Sequence, residues 1–249
     1  MDMNELQHKP SVEIVGRSAA NVDMGLRNYM IKVFNYMGAS LILTAAVAWL
    51  VANTSLINLF YNFNQETNQV SMSALGWIVA FSPLIMIFAF NYVAFNKSLA
   101  TTQLMFWLFS ALMGASLSWT CIAYTGHSIT RVFLITAGTF GALSLYGYST
   151  NRDLTKMGSF LFMGLIGLII ASIVNIFMQS TALYWALSYI GVFIFVGLTA
   201  YDAQRIKQMY YLGDSDSMTA RYAISGALNL YLDFINLFLY LLRIFGDRR

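Results

Sequence analysis

Charge is scarce in this 249-residue chain: 10% of its residues are Asp, Glu, Lys or Arg, against 58% hydrophobic and 16% aromatic. Soluble domains carry about 25% charged residues, so an ordinary globular protein is excluded. Histidine is nearly missing. His8 lies in a polar tail and His127 in a connection between apolar runs, so no histidine-rich zinc site is expected. The single cysteine, Cys121, stands inside an apolar run, which excludes an intramolecular disulfide. The net charge of +3 comes from basic residues at segment ends, which gives no surface for nucleic acid.

Long apolar runs fill most of what remains. They fall at roughly 33–52, 75–95, 102–124, 129–148, 158–178, 183–203 and 221–243. Each is about 20 residues, the length that a hydrocarbon core near 30 Å requires of a helix. The expected fold is an all-α integral membrane protein with seven transmembrane helices. Residues 1–32 read as a polar cytoplasmic tail without the apolar core of a signal peptide, and 33–246 as the membrane domain. Lys9, Arg17, Arg27 and Lys32 in the tail, with Lys97, Arg152, Lys156, Arg205, Lys207 and Arg221 in the even connections, predict a cytoplasmic N-terminus. Arg243, Arg248 and Arg249 then fall outside, which the same rule disfavours. The last run therefore either spans fully or folds back, and its continuous polar stripe favours the span. Pro83 should kink the second helix. Repeated small residues (Ser110, Gly114 and Ser118; Gly167, Ala171 and Asn175; Gly138 and Gly141; Gly191 and Gly197) should let helices approach closely.

That stripe lies on the last run. Ser225, Asn229, Asp233, Asn236, Tyr240 and Arg243 recur at three- and four-residue steps, so they share one face of a helix otherwise made of Leu, Ile and Phe. An ionised carboxylate at mid-bilayer costs about 2.5–3.5 kcal/mol on insertion scales, so the stripe should face other helices or water. Asp202, at the end of the sixth run, could pair with Arg205 or Lys207 in a surface ion pair. The sharper expectation joins Asp202 to Asp233. Two carboxylates close together in an apolar site cannot both ionise cheaply, so they share a proton and titrate as a unit. For the pair to meet, the last helix must start near Ser225 or the sixth must run on through Met209.

Four segments carry a resemblance to a known family: FSALMGASLSW (109–119), LSLYGYSTNRDLTKMGSFLFMGLIGLIIASIVN (143–175), GLTAYDAQRIK (197–207) and ALNLYLDFINLFLYLLRIFG (227–246). Together they resemble the Bax-inhibitor (transmembrane Bax-inhibitor-motif) family, and its bacterial members most. The resemblance implies a seven-helix bundle with the last helix at its centre, in a bacterial inner membrane. It further implies a pH-dependent calcium leak in which Asp202 and Asp233 are the pH sensor and gate, with calcium the transported ion and no cofactor. Asn229, Asn236 and Tyr240 would line or gate the path, and Arg243 would help close its outer mouth by pairing with an acid, for which Glu66 is the candidate. Calcium would be held only transiently near Asp202 and Asp233. The run 75–95 lacks the arginine that a calcium-leak member has there, and Asp214 and Asp216 are added acids without an assigned role.

Two other classes remain in view. A non-conducting regulatory protein that binds membrane partners or proteases fits the same family, whose eukaryotic members suppress cell death. An intramembrane aspartyl protease does not fit: Tyr211-Leu212-Gly213-Asp214 lacks the first glycine of a GxGD element, and neither Pro10 nor Pro83 makes the required proline motif. With no GxSxG elbow or phosphate-cradling glycine loop, the chain is not read as an enzyme.

Overall fold

In a bilayer each backbone N–H and C=O needs a partner within the protein, so long apolar runs become helices. The computed structural model, which describes residues 11–64, 69–210 and 215–249, has this form. Helix α1 (Ser11–Asn53) is followed by a single turn α2 (Ile57–Phe60) and an antiparallel hairpin of β1 (Tyr61–Asn64) and β2 (Gln69–Met72), in register Tyr61 to Met72. Then come α3 (Ala74–Asn96), α4 (Leu99–Ala123), α5 (Gly126–Ser149), α6 (Thr155–Met178), α7 (Thr181–Gln208) and α8 (Asp216–Phe245). Seven of these are long and apolar enough to cross a membrane, the first over Met24–Asn53. The chain is an all-α integral membrane protein, and α7 and α8 are the sixth and seventh apolar runs. Glu66 and Asp214 lie outside the described residues.

Local chemistry sets the boundaries. Ser73, Ser98, Thr125, Ser180 and Ser215 each precede a helix and accept a hydrogen bond from the backbone N–H three residues on. Each thereby satisfies one of the orphan donors of a first turn. Helix α6 stops where Gln179 turns left-handed (φ 50°) and its N–H donates to Asn175 O. Pro83 lies inside α3 without breaking it. Its missing N–H leaves the Val79 carbonyl without its helical partner, and the Ser82 hydroxyl donates to that carbonyl at 2.9 Å. Helix α8 is unbroken over 30 residues, so the last run does not fold back.

Lipid offers no hydrophobic force between helices, so association rests on close packing and internal hydrogen bonds. Helix α8 packs on α1, α3, α4, α5 and α7. In its apolar window 56% of residues are buried, against 6% for α6, which packs chiefly on α7 and exposes Phe160, Phe162, Ile173 and Phe177. On the α1 and α4 side, Tyr231 is fully buried; its ring meets Phe109 edge-on at 5.8 Å and its hydroxyl reaches Thr44 Oγ1 at 2.8 Å. The small-residue expectation holds unevenly. A Cβ on Gly114 would strike the Thr44 backbone, one on Gly191 the Tyr240 ring and one on Gly197 the Leu161 side chain, so these three are true close approaches. Gly138, Gly141 and Gly167 have no neighbour within 4 Å of such a Cβ and create no helix contact.

Candidate functional site

The register of α7 against α8 is set by two glycines. Gly226 receives Ile206, and Gly191 receives the Tyr240 ring, which also stacks on Phe195 at 5.8 Å. Antiparallel helices pinned at these two levels bring Asp202 opposite the turn of α8 that carries Asn229 and Asp233. Helix α7 runs to Gln208 and caps at Met209, one residue short of the extension expected of it, while α8 starts at Asp216 and not near Ser225. The carboxyls of Asp202 and Asp233 lie within hydrogen-bonding reach of each other. Asp233 is 5% exposed, and its Oδ2 has no partner among the described residues. Asp202 is half-buried, with the exposed Arg205 one turn further along α7. Lys207 turns away: its Nζ donates to Tyr148 O at 2.9 Å and sits 5.1 Å from that ring's centre.

Five of the six stripe residues (Asn229, Asp233, Asn236, Tyr240 and Arg243) line one cavity of about 970 Å³; Ser225 does not. The stripe forms its floor together with Asp202 and Arg205 of α7. Its walls are largely apolar, with Leu84, Ile87 and Phe88 from α3 and Leu165, Ile169 and Ile173 from α6, to which α6 adds Ser172 and Asn175. Leu84, Phe88 and Ile169 are more than half exposed, so the cavity is a cleft between α3 and α6 whose rim faces the surroundings of the bundle. No charged side chain reaches it from α3 or α6; the cations on it are Arg205 at one end and Arg243 at the other. Asn236 donates its amide to Leu232 O at 2.8 Å, so its side chain is held against its own helix. Arg243 lies over the rings of Tyr240 and Tyr184, at 5.1 and 5.7 Å, and makes no carboxylate pair among the described residues.

Such a floor can exchange a proton, and its carboxylate, amide and phenol oxygens are the hard donors that calcium prefers.

Three supports of the site were not evident in the sequence. Gln204, 7% exposed and two residues beyond Asp202, accepts from Leu154 N at 2.9 Å and donates to Arg152 O at 2.8 Å, which ties the α5–α6 connection to α7. In that connection, hydrogen bonds from Thr155 hold the Asp153 carboxyl below the usual carboxylate range. Arg221 donates to Ala94 O at 2.6 Å and fastens the end of α3 to α8. Tyr231 binds Thr44 on the face of α8 turned away from the acids. Gln204 reads as one more polar residue at a helix end, and Tyr231 as one more aromatic in an apolar face.

Known proteins are similar to this chain over nearly its whole length. The family model described as inhibitor of apoptosis-promoting Bax1 matches residues 26–249. The uncharacterised protein RP147 of Rickettsia prowazekii is 48% identical over 228 residues, covering 91% of this chain and 92% of that protein. The inner membrane protein YbhL of Escherichia coli K12 is 48% identical over 228 residues, covering 90% and 94%. YrjE of Lactococcus lactis is 37% identical over 222 residues, covering 89% and 92%. By descent and by its seven apolar helices, the chain belongs to the Bax1-inhibitor family of membrane proteins.

Proposed function

We propose that this protein is a pH-sensitive calcium leak of a bacterial inner membrane, gated by a proton that Asp202 and Asp233 share. The observation that carries the reading is the closeness of the two carboxyls, within hydrogen-bonding reach of each other on the floor of a cleft, with Asp233 buried. Two carboxyls can hydrogen-bond to each other only when one holds a proton. Losing it leaves two like charges against apolar walls, which drives the pair apart or draws in a cation. Arg205, one turn along α7, is the neighbouring cation on this end of the floor and offsets part of one negative charge, and the shared proton balances the rest. Asn229, Asn236 and Tyr240 continue the oxygen-lined track towards Arg243, whose guanidinium stacks across its far end. An N-terminus in the cytoplasm follows the distribution of Lys and Arg and places Arg243 at the outer mouth.

The test is calcium flux into liposomes that contain purified protein and a trapped calcium dye. Wild-type protein should admit calcium at a rate that changes between about pH 5 and 8. Asp202→Asn and Asp233→Asn should each flatten that dependence, because an amide partner removes the shared proton. Absence of flux at every pH in this window would refute the leak and leave a non-conducting regulatory membrane protein as the reading.

A further inference from the structure

At the end of the bundle away from Arg205, basic side chains gather with little acid to balance them. Arg131 is matched: it donates to Asp247 Oδ2 at 3.2 Å and to Phe245 O at 2.8 Å. Arg243 and Arg248 are not matched by any carboxylate among the described residues. Both instead lie against the same ring, with their guanidinium carbons 5.7 and 5.9 Å from the centre of Tyr184. Arg248 also donates to the Tyr184 hydroxyl at 2.7 Å.

Its position is fixed by backbone, because the segment after α8 pairs with the α4–α5 connection. Thr125 N donates to Asp247 O and Arg249 N to Ala123 O, both at 3.0 Å, and Tyr124 faces Arg248 in an isolated antiparallel bridge. Two like charges are thus held on one ring by the fold. Both are exposed, so water screens their repulsion in part, and an anion between them would offset the rest.

The space for an anion is present. Two adjoining pockets, of about 560 and 670 Å³, share Tyr184, Arg243 and Arg248 as lining. The first adds polar groups from Asn175, Gln179 and Ser180 beside the start of α7; the second runs beneath α4 and the chain's last residues. Trp185 lines the first and Trp119 the second, and each is about 40% exposed. Tryptophans half in and half out at the end of a membrane helix mark the headgroup level of the bilayer. Phosphodiesters lie at that depth, and guanidinium groups bind phosphate oxygens in pairs.

We propose that Arg243 and Arg248, set on the Tyr184 ring, form a phosphate site that takes the headgroup of an anionic phospholipid. The acyl chains of that lipid run down the exposed apolar surface of α6 and α7 beside it, and the headgroup neutralises the two arginines. This site shares Tyr184 and Arg243 with the far end of the cleft but not the acid pair, and lipid binding is read without calcium flux.

The test uses the full-length protein in a nonionic detergent, titrated separately with phosphatidylglycerol, phosphatidylcholine and inorganic phosphate. Thermal unfolding and lipid retention by native mass spectrometry are the two readouts. Phosphatidylglycerol should raise the unfolding midpoint saturably and remain bound, whereas phosphatidylcholine and inorganic phosphate should do neither. The double variant Arg243→Gln/Arg248→Gln should weaken the phosphatidylglycerol response at least tenfold. Arg152→Gln, which removes one positive charge at the opposite end, should leave it unchanged.

Equal responses to the two lipids, or a double variant that responds like wild type, would overturn the site. A full response to inorganic phosphate would overturn the lipid assignment. Phosphatidylglycerol binding that appears only in Glu66→Gln would show that the chain's own carboxylate fills the place, and would also overturn it. The comparison of lipids on wild-type protein stands even if the double variant fails to fold.

Discussion

The face of α8 turned away from the acids is held by one buried chain of hydroxyls, and its energetics can be worked out by counting protons. Thr44 Oγ1 donates its only hydrogen to Ser110 O at 2.9 Å, so the Tyr231 hydroxyl 2.8 Å away must be the donor to Thr44. Tyr231→Phe therefore removes one bond and leaves behind only an acceptor. Hydrogen bonds between membrane helices average about 0.6 kcal/mol and reach about 1.7, so this variant should lose that much. Thr44→Val is nearly the same size but removes two bonds. It also strands the hydroxyl of Tyr231, a residue with no exposed surface, at an added cost of about 1–3 kcal/mol. The double variant has no stranded donor and should be more stable than Thr44→Val alone. Reversible unfolding in mixed detergent micelles, followed by tryptophan fluorescence, measures all three. A Thr44→Val loss no larger than that of Tyr231→Phe, or a double variant whose loss equals the sum of the singles, would refute the proton assignment.

Two further outcomes follow from contacts that support the acid pair. A Cβ on Gly147 would fall against the backbone carbonyl of Ala200, two residues before Asp202, so Gly147→Ala should part α5 from α7, destabilise by about 1–3 kcal/mol and alter calcium flux. Gly138→Ala, with no neighbour within 4 Å of the added carbon, should be close to neutral in the same unfolding assay. Gln204→Leu strands the N–H of the buried Leu154 and should lose about 1–3 kcal/mol, read as a lower midpoint and faster proteolysis of the α5–α6 connection.

The sequence by itself determined that the chain lives in a membrane, how many long apolar helices it has and roughly where most of them lie. The first is the exception, since α1 starts at Ser11 and buries Tyr29 and Met30 within the stretch that reads as a polar tail. Those features depend on local chemistry: runs long enough for a bilayer, and Ser or Thr placed where a first turn needs an acceptor. It also determined that Asn229, Asp233, Asn236, Tyr240 and Arg243 share a face, because a helical period is a property of one segment. The resemblance of GLTAYDAQRIK and the last run to the Bax-inhibitor family points to the same seven-helix fold. Only the tertiary structure decided what that face meets. Whether Asp202 reaches Asp233 depends on the level at which α7 passes α8, and that level is fixed by Ile206 against Gly226 and Tyr240 against Gly191, pairs remote in the chain with no signal in either run. The same holds for glycines that look alike in sequence: Gly114 and Gly191 are contact points while Gly138 and Gly167 are not, since the neighbour of a small residue belongs to another helix. Position along one helix is local information. Rotation and register between helices come from packing, which the order of residues encodes only through the folded whole.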